Sequence, residues 1–154
     1  MRVVADTSPL CYLLLIDQID LLPLLFERVL IPKAVAAELA HTAADRKLRE
    51  WIAMPPAWLE ILEAPPTGAE LRRLDAGERE AIALAEEVAA DLVILDERKA
   101  RQVALERGLS ITGLLGLLVD AAERGLVELR EVLDRLRQTS FRVDPKLLAS
   151  LLDR

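Results

Sequence analysis

Four consecutive aliphatic residues, Leu92-Val93-Ile94-Leu95, stand between Asp91 and Asp96, and no other segment constrains the fold as much. A short apolar run bounded by carboxylates reads as a strand buried on both faces, as in a parallel sheet covered by helices on either side. Similar runs recur along the chain. Arg2-Val3-Val4-Ala5, Val29-Leu30-Ile31 and Leu109-Ser110-Ile111-Thr112 are further short strands, while Trp58-Leu59-Glu60-Ile61-Leu62 fits either a strand or a linking segment.

Helical patterns fill the intervals. Thr7-Ser8-Pro9 offers capping hydroxyls and a helix-starting proline to a helix over 10–16, and further helices are expected over 20–26, 33–40, 45–52 and from about 75 or 77 to 89. Thr67 could cap a short helix running to Leu74. Past the Leu92 strand, a helix over 97–107 ends at Gly108, one over 114–124 ends at Gly125, and a long one covers 128–137. Strands alternating with helices predict an α/β fold, a three-layer α/β/α sandwich with a mainly parallel central sheet. Residues 1–138 form the expected domain, and residues 139–154 form a C-terminal helical extension opened by Asp144-Pro145.

Length and composition fit this reading and remove some alternatives. A chain of 154 residues is one domain, and 53% hydrophobic residues with only 3% aromatics make its core aliphatic. A net charge of −6 argues against a protein that holds nucleic acid through a strong global field, but leaves room for an enzyme with a local basic rim. Cys11 is the sole cysteine, which excludes an internal disulfide or a cysteine zinc cluster and suits a reducing cytoplasm. The first strand starts so near Met1 that no leader is expected. Apolar residues between 10 and 25 are interrupted by Asp17, Gln18, Asp20 and Pro23, so no membrane span is expected. The expected location is the cytoplasm.

Chemistry concentrates in acids set against apolar elements, where an unpaired carboxylate is costly to bury. Asp6 and Asp96 each end a predicted strand, at the edge where ligands of open parallel sheets collect. Either could simply cap the following helix, although beside Asp6 the hydroxyls of Thr7 and Ser8 are available for that task. Glu38 follows Val35 by three on its helix and so borders the buried side. Glu78 and Glu80, two apart, cannot both point the same way. Glu80, four before Leu84, is preferred for the packed face, with Glu78 as the alternative in the first turn, where the helix dipole favours an acid. A shared divalent cation would turn these buried carboxylates into a catalyst. Ser8 would orient Asp6 or a water, since His41, the only histidine, has no evident triad. Arg98, Lys99 and Arg101 form a basic helix start beside Asp96 suited to phosphate oxygens. An aspartyl-nucleophile phosphatase would want a second acid two residues after Asp6, and Ser8 stands there.

The order of these segments resembles the PIN domain family. Asp6-Thr7-Ser8 ends the first strand, Pro32-x-x-Val35-x-x-Glu38-Leu39 lies on an early helix, Gly77-Glu78-x-Glu80-Ala81-Ile82 opens a later one, and Leu95-Asp96-Glu97-Arg98 leaves the buried strand. The similarity runs from Arg2 to about Leu136 and is greatest to the VapC-like branch with a glutamate as third acid. It implies a ribonuclease, often the toxin of a toxin–antitoxin pair, using Mg²⁺ or Mn²⁺ in an acidic pocket. Carried over, Asp6, Glu38, Glu80 and Asp96 would be both catalytic residues and metal ligands, with Glu78 as the alternative to Glu80. Hydrolysis by water would leave a 5′-phosphate and a 3′-hydroxyl. RNA substrate, a cognate antitoxin and a homodimer are the implied partners, with no membrane. The alternative is a non-catalytic PIN-fold module that binds RNA or protein.

Overall fold

Val3, Val4 and Ala5 have no solvent exposure at all, because β1 (Val3–Ala5) runs through the middle of a sheet covered on both faces. The computed structural model describes residues 1–153. Around β1 it places β2 (Val29–Pro32), β3 (Leu59–Leu62), β4 (Leu92–Ile94) and β5 (Ile111–Thr112) in the order β3-β2-β1-β4-β5. All four pairings are parallel, with Val4 opposite Leu30, Ala5 opposite Ile94, Pro32 opposite Leu62 and Ile94 opposite Thr112. Every strand therefore ends at the same edge. Asp6 continues the pairing by one step, its amide donating to the Ile94 carbonyl at 3.0 Å.

Successive strand residues point to opposite faces, and here each face has its own helical layer. Val3, Ala5, Val29, Ile31 and Ile94 join one core with α1 (Thr7–Leu15), α2 (Leu21–Phe26), α3 (Lys33–Ala40), α4 (Arg46–Ala53), α7 (Leu114–Glu123) and α8 (Leu129–Arg137). Val4, Leu30, Val93 and Leu95 join the other, under α5 (Ala76–Glu87) and α6 (Arg98–Glu106). This is the predicted α/β/α sandwich, and it explains why the strands are continuously apolar rather than alternating. Burying each such aliphatic side chain contributes about 1.5–3 kcal/mol, so the sheet is a firm base for whatever stands at its edge.

The element boundaries bring some corrections. The segment left open between strand and linker is the edge strand β3, where Glu60 and Ile61 lie partly open because no strand covers that side. Helix α1 starts at Thr7, so Thr7, Ser8 and Pro9 are its first turn rather than a cap in front of it. Thr67 caps nothing; a single 3₁₀ turn, Ala69–Leu71, follows Gly68 instead. Helix α9 (Pro145–Leu152) opens on Asp144, whose carboxylate accepts from the Lys146 amide at 3.0 Å, and none of its residues is fully buried. Among the described residues no helix is long and apolar enough to cross a membrane.

Candidate functional site

Asp6 occupies the N-cap position of α1 without capping it, since its side chain makes no cap hydrogen bond. Its carboxylate is nevertheless buried, at 4% exposure, and Oδ1 has no hydrogen-bond partner. Burial is the main force on its protonation, and the carboxylates of Glu78, Asp75 and Glu38 add to it against an opposing backbone amide at Thr7. Together they push the Asp6 pKa up to about 7. A buried acid ringed by acids is the arrangement a polar core avoids unless something cationic shares it.

Glu38 reaches Asp6 across the start of α5. Its Oε1 accepts from the Gly77 amide at 3.1 Å. A Cβ on residue 77 would stand 2.6 Å from Glu38 Oε1 and 3.1 Å from Asp6 Oδ1, so the missing side chain of Gly77 is what lets the two carboxylates converge. Asp75 and Glu78 form a capping box at the same helix start: the Glu78 amide donates to Asp75 Oδ1 at 2.9 Å and the Asp75 amide donates to Glu78 Oε1 at 3.1 Å. Glu78 is 6% exposed, and burial, then Asp75, Glu97 and Glu38, raises its carboxyl above the usual range.

Glu80, the residue preferred from sequence, is not brought to this group. Its Oε1 accepts from the Ala34 amide at 3.1 Å, satisfying an orphan donor at the start of α3. The physical reason is helical phase. Gly77, Glu78, Ala81, Ile82 and Ala85 share the buried face of α5, and Glu78 stands three, four and seven residues before the last three. That i, i+3, i+4 relation was visible in the sequence and favours Glu78 over Glu80. Asp75, read from sequence only as a helix start, is the further acid at this site; the Asp-x-x-Glu spacing of a capping box was its only signal.

Asp96 sits at the same sheet edge in different company. Its Oδ1 accepts from the Leu114 amide at 2.9 Å, at the N-terminus of α7, and its Oδ2 is buried without a partner. It does not cap α6, because Glu97 does, accepting from the Ala100 amide at 2.9 Å. Burial raises its carboxyl, opposed by the Leu114 amide and by the charge of Arg101. Arg101 donates from Nη1 to the Leu95 carbonyl at 3.0 Å. Asp96, Arg98, Arg101, Gln102 and Leu105 line a cleft of about 370 Å³, and Lys99 is exposed on α6 outside that lining. Asp91 lies at the opposite edge as expected, accepting from the Arg2 amide at 2.7 Å.

A cleft of about 320 Å³ opens over Asp6, with Glu38 and Asp75 on one side and Ser8, Tyr12 and Ser140 among its other walls. Cys11 also lines it; burial, then Glu38 and Asp6, pushes this thiol up to about 11, which keeps it protonated and inert.

With this geometry in place, the PIN domain family model matches residues 2–154. The chain belongs to the PIN domain family. A solved structure of a PilT N-terminus domain protein from the hyperthermophilic archaeon Sulfolobus solfataricus P2 superposes with a TM-score of 0.54 at 14% sequence identity, covering 94% of this chain and 100% of that one. At that identity the likeness is one of fold. No curated protein matches the chain.

PIN domains typically use a divalent metal, and the donor set here suits one. The oxygens of Asp6 and Glu38 meet at the open face of Gly77, Asp6 Oδ1 is buried and unpartnered, and the group is all carboxylate, as hard cations prefer. Glu38 and Glu78 currently hold backbone amides. Accordingly, among the described residues no three His, Cys, Asp or Glu side chains already stand as a closed metal cage.

Proposed function

We propose that this PIN domain is a metal-dependent endoribonuclease that hydrolyses RNA phosphodiester bonds in the cleft over Asp6. The observation that carries the reading is the Asp6 carboxylate, 96% removed from solvent yet left with an unpartnered Oδ1 among three other carboxylates. Asp6 and Glu38 would hold Mg²⁺ or Mn²⁺, with Glu78 as the third acid in place of Glu80. When bound, the metal lowers the pKa of a water and stabilises charge on the phosphate under attack.

The protein's own residues do the remaining work. Burial puts Asp6 in a low-dielectric setting where its charge acts strongly on a cation, and the nearby Glu38 and Glu78 carboxylates add to that pull. The Ser8 hydroxyl orients Asp6 or a water beside it. Arg98, Lys99 and Arg101 contact phosphates of the chain as it leaves the acidic cleft, with the Leu95 carbonyl holding the Arg101 guanidinium and the charge of Asp96 attracting it. The same reading makes the protein a VapC-like toxin that acts in the cytoplasm, forms a homodimer and is held in check by a cognate antitoxin.

The test is cleavage of RNA by purified protein with Mg²⁺ or Mn²⁺ added back after chelation, beside the Asp6→Asn variant. Cleavage that needs the metal, leaves 5′-phosphates and vanishes in D6N supports the proposal. The hydrogen bonds that Glu38 and Glu78 already make favour the second reading, a non-catalytic module. RNA binding without cleavage under either metal, identical in D6N, would establish that one instead. Growth arrest on expression, relieved by the product of a neighbouring small gene, tests the toxin assignment.

A further inference from the structure

The cleft over Asp6 has two unlike ends. Its charged side chains, Asp6, Glu38 and Asp75, are all acidic, and among the described residues no lysine or arginine lines it. The other end is a stripe of α1, Cys11, Tyr12 and Leu15, that carries no charge. At 1.5 Å rise per residue Tyr12 lies about 9 Å along the helix from Asp6, roughly the reach from a phosphate to the base beside it. A volume of about 320 Å³ is at the small end for ligand pockets, about 300–1,000 Å³, and suits a single nucleotide.

Tyr12 is held in place by the C-terminal segment. Its hydroxyl shares a hydrogen bond of 2.9 Å with Ser140 Oγ, and its ring meets that of Phe141 edge to face, with centroids 5.0 Å apart and planes at 75°. Two hydroxyls sharing one hydrogen bond retain one O–H donor and free lone pairs, enough to read the edge of a base. With no cation among the described lining residues, this end suits nucleic acid held through its base rather than its backbone.

We infer that Tyr12, locked by Ser140 and Phe141, forms a base-holding subsite beside the acidic centre, so that the C-terminal segment decides which nucleotide flanks the cleaved bond. This rests on the ribonuclease reading for the word "cleaved", but not for the binding of the base. A ring fixed before binding loses little conformational freedom on binding, which makes it an efficient platform.

The experiment has two arms. In the first, a single-stranded oligoribonucleotide carrying 2-aminopurine is titrated into the full chain with Ca²⁺. Quenching of the probe is expected, and Tyr12→Ala should weaken it on the order of tenfold, the scale of base–aromatic stacking, while Tyr12→Phe keeps the ring and recovers most of it. In the second, cleavage sites are mapped on a randomised RNA with Mn²⁺. Wild type should show a base preference at one position next to the cut, Ser140→Ala should flatten it, and Tyr12→Ala should raise KM more than it lowers kcat.

Thermal melts establish that the variants fold, and Ser140→Ala, which deletes a single hydroxyl, serves if Tyr12→Ala does not. Cleavage with no base preference, or quenching and preference unchanged in folded variants, overturns the inference alone. Tyr12-dependent quenching without cleavage would overturn the ribonuclease reading and leave the base subsite standing. Neither quenching nor cleavage would defeat both.

Discussion

Asp6 and Asp96 leave neighbouring parallel strands at the same edge of the sheet, and each keeps one buried oxygen without a partner. Their surroundings differ in sign. Around Asp6 the nearby charges are Glu78, Asp75 and Glu38, all of which raise its pKa further. Around Asp96 the nearby charge is Arg101, and the Leu114 amide already takes one oxygen, both of which favour the ionised form. Strand ends supply the position, but neighbours supply the chemistry. The neighbours of Asp6 add to the cost of its buried charge, whereas those of Asp96 offset part of it.

Catalysis should separate the two most widely. Asp6→Asn is expected to lower metal-dependent RNA cleavage by at least about a hundredfold, the scale of losing a group that stabilises charge in the transition state. Asp96→Asn should cost about tenfold, as for a residue acting through its neighbours. Equal losses in single-turnover assays would break the comparison.

Stability without metal offers the next contrast. The Asp6 pKa of about 7 lies above its ordinary 3.8, so between these values the folded protein binds more protons than the unfolded chain. Folding stability is therefore lost as pH rises from about 4 to 7, and the deficit is complete above 7. Asp6→Asn removes it and should stabilise chelated protein at pH 8 by up to a few kcal/mol, with little gain at pH 4. Urea melts at both values check this. Added Mn²⁺ should raise the wild-type melting temperature and leave that of the variant unmoved.

Gly77 sharpens the same point with a smaller effect. An alanine there would press on Glu38 Oε1, which is the movable end of a side chain and can retreat. The fold should survive within about 1 kcal/mol, because alanine is the better helix former. Calorimetric affinity for Mn²⁺ should nonetheless fall roughly tenfold, a loss of about 1.4 kcal/mol. The smallest effect belongs to Glu80→Gln, which keeps an acceptor for the Ala34 amide and should leave cleavage within about twofold. Glu78→Gln should exceed it clearly in the same assay.

Much of the architecture is legible in the residues. Leu92 to Leu95 predicts a doubly covered strand because no face of it can meet water, and Gly108 and Gly125, at φ of 80° and 75°, end α6 and α7 where the sequence expects helix stops. Edge strand β3 is harder to read, since one open side weakens its apolar pattern. At the site, Asp6 and Glu38 are legible because an acid against an apolar element is conspicuous. The choice between Glu78 and Glu80 turned on helical phase, where several apolar residues compete as the reference, and the more telling set was Ala81, Ile82 and Ala85.

From the order of its apolar runs alone, the sequence determined a parallel α/β sheet with acids at the strand ends, because periodicity and burial are local properties of a chain. Only the tertiary structure decided which acids meet. Asp6, Glu38, Asp75 and Glu78 come from three separate elements, and their convergence depends on α5 crossing close enough for Gly77 to pass between two carboxylates. The same holds for Tyr12 and Ser140, 128 residues apart and joined by one hydrogen bond. Distances of that kind follow from how elements pack, which no single segment encodes.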